Sequence, residues 1–299
     1  MKITKKITSL ALSFVLVMTA CADLDVTNTN APDQSRALAS PEDVESLIKS
    51  TFLTWWQGVH VTGAGFQPMV MSDSQSSSWG NYGMKEMSVE PRAAINNSPA
   101  WGYAAYIEDP WYDLYGAISS AKDGLASLKA GQAGGKNFLA DATADKRAEI
   151  FAKWILAISN AQVASWYDKG FYVDGDTDFA TKQETVDYKA LMTSAMGALE
   201  AVVTEMSSNA SMVIPEDWLQ LPGYTMGDLA KVGNSQLARY KVAVARTAAE
   251  RDAVDWTDVA SHAAAGGTFA PIGDGEYWWT RTQYYSAVSR SWGRADYKM

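Results

Sequence analysis

The chain has 299 residues, a formal net charge of −9 and one cysteine. A lone cysteine excludes an internal disulfide, and the acidic balance argues against nucleic acid or an anionic lipid surface as a partner drawn by net charge. The 12 Trp and 14 Tyr, against 8 Phe, favour the aromatic residues that join a flat apolar face to a polar handle. Binding surfaces use that combination, and so do the interhelical contacts of helix-pair solenoids.

Lys2, Lys5 and Lys6 precede an apolar run over residues 7–18, broken only by Thr8, Ser9 and Ser13. About twelve residues is too short to span a hydrocarbon core and suits the central region of a signal peptide. Thr19 and Ala20 are small, and Cys21 follows at once, with Met18 in the place where a lipobox usually has Leu. The pattern predicts cleavage before Cys21 and lipid on its sulfur, which also removes a free thiol from an oxidising compartment. Removal of residues 1–20 leaves 279 residues and, with three lysines gone, a formal charge of −12. No later run is apolar enough to cross a membrane, so the lipid is the one expected anchor.

Residues 21–39 are polar and aperiodic and read as a lipidated tether. Ser40, Pro41 and Asp43 mark a helix start, with Val44, Leu47, Ile48, Thr51 and Trp55 on one face and Gly58 as the expected stop. Residues 58–108 look irregular, although their aromatics argue against disorder. Asp109 and Pro110 read as the cap and first residue of a second helix running to about Lys129, with Trp111, Leu114, Tyr115, Ile118, Leu125 and Leu128 as its stripe and Gly131 as its stop. A third helix is expected from about Thr143 to Lys169, closed by Gly170. A fourth, from about Thr185 to Ser208, carries Tyr188, Leu191, Met192, Ala195, Leu199, Val202, Val203 and Met206. A fifth spans about Thr225 to Arg246, and two short helices open at Thr247 with Glu250 and at Asp255 with Asp258. No run alternates like a long strand. The expected fold is mainly α: antiparallel helix pairs, tetratricopeptide-like, with long irregular loop insertions. The repeat consensus is poor, because Trp111, Leu114 and Gly116 match it only in part.

Chemistry-bearing patterns are few. His60 and His262 are the only histidines, so a His/Cys zinc site is not expected. There is no nucleophile elbow and no phosphate-binding glycine loop. Asp174, Asp176 and Asp178 begin like a calcium loop, but Phe179 stands where the loop needs Gly and Thr185 where it needs Glu. These acids fit a connecting loop better, and no cofactor or metal is expected. Asp73, Glu90, Glu108 and Asp109 could supply paired carboxylates for glycoside hydrolysis, a reaction decided by a separation that sequence does not give.

The segment 71–92 (MSDSQSSSWGNYGMKEMSVEPR) stands out. Trp79 and Tyr82 can present flat faces, and Asp73, Gln75, Asn81 and Arg92 can make directional hydrogen bonds, a mixture that suits a sugar ring. The same aromatics could instead pin a long loop to the helices. A second cluster holds Tyr277, Trp278, Trp279, Arg281, Tyr284 and Tyr285. Trp278 and Tyr284 are ligand candidates there, although Trp278, Arg281 and Tyr285 have helical spacing and could simply pack.

A lipobox cysteine followed by ADLDVTNTNAPD, then a capped helix ending in Trp55-Trp56, resembles the SusD/RagB family of outer-membrane nutrient-binding lipoproteins. AISNAQVASWYDKGFYVDGDTDF (157–179) and YKVAVARTAAERDAVDW (240–256) resemble two further regions of that family. The resemblance implies a tetratricopeptide-like scaffold on the outer face of the outer membrane. It implies a SusC-type TonB-dependent transporter as partner, a glycan or other oligomeric nutrient as ligand, and binding without catalysis. It adds weight to the 71–92 segment and to Trp79, Asn81 and Tyr82 in particular. Family members usually continue beyond the point where this chain stops, so it also implies that a C-terminal part of domain 40–299 is missing. Two other readings stay open: an all-helical glycoside hydrolase lipoprotein, and a structural lipoprotein that only accompanies a transporter.

Overall fold

The computed structural model describes residue 38 and residues 40–60, 68–76, 83–89, 94–267 and 294–295. The chain divides into two units, Met1–Ala39 and Ser40–Met299, and all that follows concerns the second. It is mainly helical, in line with the sequence pattern. Its elements are α1 Pro41–His60, β1 Gln75–Ser76, α2 Met84–Ser88, α3 Ala105–Gly131, α4 Ala142–Trp166, β2 Lys169–Gly170, β3 Val186–Asp187, α5 Tyr188–Ser208, α6 Glu216–Leu219, α7 Met226–Ala243, α8 Ala248–Asp252, α9 Trp256–Ala264 and β4 Arg294–Ala295.

Helix starts follow local side-chain chemistry. Ser40 Oγ accepts the Asp43 amide at 3.1 Å, which satisfies one of the first-turn donors that no helix can pair internally. Thr225 with Asp228 and Thr247 with Glu250 form reciprocal capping boxes. Asp141, Asp187 and Asp255 cap α4, α5 and α9 with their carboxylates.

α4 is the centre. Ile150, Phe151, Trp154, Ile155, Ile158, Ala161 and Val163 are fully buried on different sides of it, as expected of a helix surrounded by others. α1, α3, α5 and α7 all pack against it. Neighbours along the chain run antiparallel. Gly58, Gly116 and Gly124 place Leu114, Thr54 and Ile48 opposite one another in descending order, so α1 and α3 point oppositely. Likewise Val203 lies against Gly233 while Glu200 pairs with Lys241, which sets α5 antiparallel to α7.

Polar groups inside the bundle are matched. Trp154 Nε1 donates to Gln236 Oε1 at 2.9 Å, and Tyr240 Oη donates to Gln162 Oε1 at 3.2 Å. Asn160 donates to the Leu156 and Val173 carbonyls at 2.8 Å each, fastening the loop after α4 to the helix. Asp145, 4% exposed, accepts the Phe138 and Leu139 amides at 2.9 and 2.7 Å and so closes the α3–α4 connection. Asp145→Ala is expected to cost about 2 kcal/mol in urea unfolding, the scale of charged hydrogen bonds lost with buried donors left behind. A loss under 0.5 kcal/mol would show that the connection does not depend on them.

Three expected boundaries need correction. Gly58 does not stop α1, which continues to His60; a Cβ at Gly58 would come within 2.9 Å of Asp113 Cβ, so this glycine serves close helix approach. Asp109 and Pro110 do not open α3. The helix begins at Ala105, Asp109 is an exposed interior residue, and Pro110 lies inside the helix. Proline removes one backbone bond there, while the preceding turn is held from outside by Tyr167 Oη, which donates to the Ile107 carbonyl at 2.7 Å. Finally, α4 ends at Trp166 rather than near Lys169, because Lys169 and Gly170 pair with Asp187 and Val186 in an antiparallel ladder.

Candidate functional site

Of the lipidation and ligand candidates, Asp73 alone lies within the described structure. Cys21, Trp79, Asn81, Tyr82, Arg92, Trp278 and Tyr284 fall outside the described residues. Asp73 is exposed, with φ of 57°, a left-handed conformation that Asp tolerates better than most residues. It follows a helical turn over residues 68–71 and donates its amide to the Val70 carbonyl at 3.3 Å. Two residues later β1 begins. Gln75 pairs with Ala295 and Ser76 with Arg294, so the ladder joins the stretch leading to Trp79 to the stretch that follows Trp278 and Tyr284.

One end of the bundle collects the aromatics. The Gly58–Asp113 approach brings the end of α1 to the start of α3, and the Tyr167–Ile107 bond brings the end of α4 there as well. Trp101 meets Tyr103 edge-on at 5.5 Å between ring centroids, and Tyr103 stacks on Tyr106 at 6.2 Å. Trp111 contacts Tyr115 at 4.6 Å and Tyr167 at 5.0 Å, and Tyr115 meets Phe171 at 5.9 Å. All seven rings are partly buried. They combine covered edges with accessible surface, and the geometries are those aromatic pairs prefer. Gly83, at φ 66°, closes the loop after α1 directly against Trp101 and Tyr103: its missing Cβ would lie 3.5 Å from each.

Hydrogen bonds fix the rings. Tyr115 Oη accepts the Phe171 amide at 2.6 Å and donates to the Phe171 carbonyl at 3.0 Å. Burial outweighs the Phe171 backbone bond and pushes the Tyr115 hydroxyl up to about 12. Burial likewise raises Tyr167, with Asp109 and Asp113 adding to the effect, so both hydroxyls remain protonated donors. Asp113 is raised above the usual carboxylate range by burial and by Asp109, one turn earlier on the same face. The end of the bundle therefore carries flat apolar rings beside two carboxylate acceptors. That set can grip a polyhydroxylated ring through stacking and directional hydrogen bonds.

Sequence reading found Trp111 and Tyr115 as parts of a stripe but missed Trp101, Tyr103, Tyr106, Tyr167 and Phe171. WGYAAY, three aromatics in six residues across the start of α3, was the available signal. The acidic loop after α4 is explained locally. Asp174 accepts the Asp176 amide and the Thr177 hydroxyl, Asp178 accepts the Ala180 amide, and Asp176 pairs with Lys129 at 3.3 Å. Among the described residues no three His, Cys, Asp or Glu gather as a metal site, and no helix is long and apolar enough to cross a membrane.

Comparison with protein-family models, with curated proteins and with solved structures finds no match for this chain.

Proposed function

We propose that this chain is a surface lipoprotein of SusD/RagB type, anchored by lipid on Cys21, that captures a nutrient, most simply a glycan. On this reading it delivers the ligand to a SusC-type TonB-dependent transporter in the outer membrane and catalyses nothing itself. The observation that carries the proposal is the partly exposed aromatic cluster from Trp101 to Phe171, flanked by Asp109 and Asp113, at the bundle end where the loop after α1 returns. Antiparallel helix neighbours around α4 support a tetratricopeptide-like scaffold. Trp79, Asn81, Tyr82, Arg92, Trp278 and Tyr284 are the further ligand contacts on this reading; they lie outside the described residues.

Calorimetry against a panel of oligosaccharides tests it. One or more glycans should bind, and Trp101→Ala and Trp79→Ala should each weaken binding by about 2 kcal/mol, the scale of an aromatic anchor. No binding across a broad panel would remove the glycan. Unchanged affinity in both variants would move the site elsewhere. New reducing ends on incubation would instead favour hydrolysis.

A further inference from the structure

α9 is attached differently from the other long helices. No residue of α8 or α9 is buried, whereas α1, α3, α4, α5 and α7 each bury a full apolar stripe. α8 is nevertheless fixed. Its Glu250 carboxylate accepts from the Arg246 and Thr247 amides at 2.8 and 3.0 Å and from Tyr188 Oη at 3.1 Å, and it pairs with Lys189. α9 has no such base. It is held on α7 by Asp258 to Lys241 at 2.7 Å, by His262 Nδ1 to Asn234 Oδ1 at 2.9 Å, and at its far end by the Gly267 amide, which donates to Ser235 Oγ at 3.0 Å.

Beside its contact with α7 a groove of about 410 Å³ opens between α5, α7 and the α8–α9 pair, lined by Met196, Val244 and Ala245 on one side and by Val254 and Val259 of the α8–α9 segment on the other. Lys241 stands at its edge, with its side chain only 19% exposed, and binds Glu200 of α5 at 2.9 Å as well as Asp258 of α9. One ammonium thus pins three helices. Between the fixed α8 and the pinned α9 lie only residues 253–255, which are non-helical.

We propose that α9 is an ion-latched flap over this groove, hinged at residues 253–255 and released when the Lys241–Asp258 contact is broken. Among the described residues α9 buries no apolar side chain and is held by that contact, by the His262–Asn234 bond and by the bonds of Gly267 to Ser235 and Lys231, and contacts between partly accessible charges weaken as salt rises. α4 and α5, held by buried apolar side chains, lack that sensitivity.

Amide hydrogen exchange on the full chain, read peptide by peptide, decides the matter. Peptides covering 256–264 should exchange at least about tenfold faster than those of α4 in low salt. They should accelerate by a further factor of about five in 1 M NaCl and in Lys241→Met, while α4 and α5 peptides stay unchanged. Asp258→Asn, at a surface position, should reproduce the effect should Lys241→Met fail to fold, and Lys241→Arg should retain protection. Equal protection of α9 and α4, indifference to salt and to both variants, or joint acceleration of α4, α5 and α9 would each overturn the flap.

Discussion

Trp154→Ala is expected to be the most damaging single substitution in the bundle, lowering stability by about 3–5 kcal/mol. Trp154 is fully buried at the middle of the central helix. Its ring stacks on Phe52 of α1 at 5.8 Å and meets Phe151 edge-on at 5.5 Å. Its indole N–H is committed to Gln236 of α7. Alanine would open a cavity where three helices meet and leave the Gln236 oxygen without its donor. Trp154→Phe separates the two effects, because it keeps most of the volume and loses only the hydrogen bond, at a cost of about 1–2 kcal/mol. Urea unfolding of both variants gives the comparison. A loss below 1.5 kcal/mol for the alanine variant would mean that the core collapses around the site and that α4 is not the keystone described above.

The second large effect is a pH dependence written into the end of α1. His60 packs against Trp56 at 4.2 Å, the rings tilted by 41°, and meets Trp55 edge-on at 5.9 Å. Burial, reinforced by the positive charge of Arg239, lowers His60 from 6.5 to about 4. Above pH 6.5 the imidazole is neutral in the folded and the unfolded chain, and its contribution is constant. As pH falls from 6.5 towards 4, the unfolded chain takes up a proton that the folded chain refuses, so stability drops by up to ~3 kcal/mol and then levels. His60→Gln should flatten this part of the profile. Two carboxylates elsewhere in the bundle act lower on the scale. Burial opposes, but the hydrogen bonds from Lys153 and Lys146 prevail and hold Glu149 and Glu205 below their ordinary 4.5, so their contribution is lost only as pH falls beneath that value. Chemical denaturation at pH 7.5, 6 and 5 on wild type and His60→Gln tests the assignment. Parallel profiles in the two proteins would place the dependence on another group.

What could be read from the sequence follows a simple physical division. Features fixed within a few residues were legible: the Ser40 cap, the Thr225 and Thr247 starts, the Asp255 start of α9, and the α5 stripe, of which Leu191, Met192, Ala195, Leu199, Val202, Val203 and Met206 are buried and Tyr188 half-buried. Features fixed by distant partners were not. Pro110 signals a helix start by its own chemistry, whereas the turn before it is helical and its Ile107 carbonyl is bound by the Tyr167 hydroxyl at the end of α4. Gly58 signals a stop, and only the backbone of α3 shows that it is there for close approach. The candidate site divides in the same way. Aromatic enrichment was visible from composition, but that Trp101, Tyr103 and Tyr106 share one end of the bundle with Tyr167 and Phe171 depends on α3 and α4 running antiparallel.

The β1–β4 ladder has a consequence for the order of assembly. Gln75 and Ala295 are 220 positions apart, whereas the helix pairs around α4 join segments that are neighbours in the chain. Closing so long a loop in an unfolded chain costs about 5 kcal/mol of entropy, more than two paired residues return. The bundle must therefore form first and lower that cost by bringing the two segments near each other. During synthesis, α1 to α9 can condense from local contacts before residue 294 emerges. The strand pairing then follows formation of the bundle and depends on it.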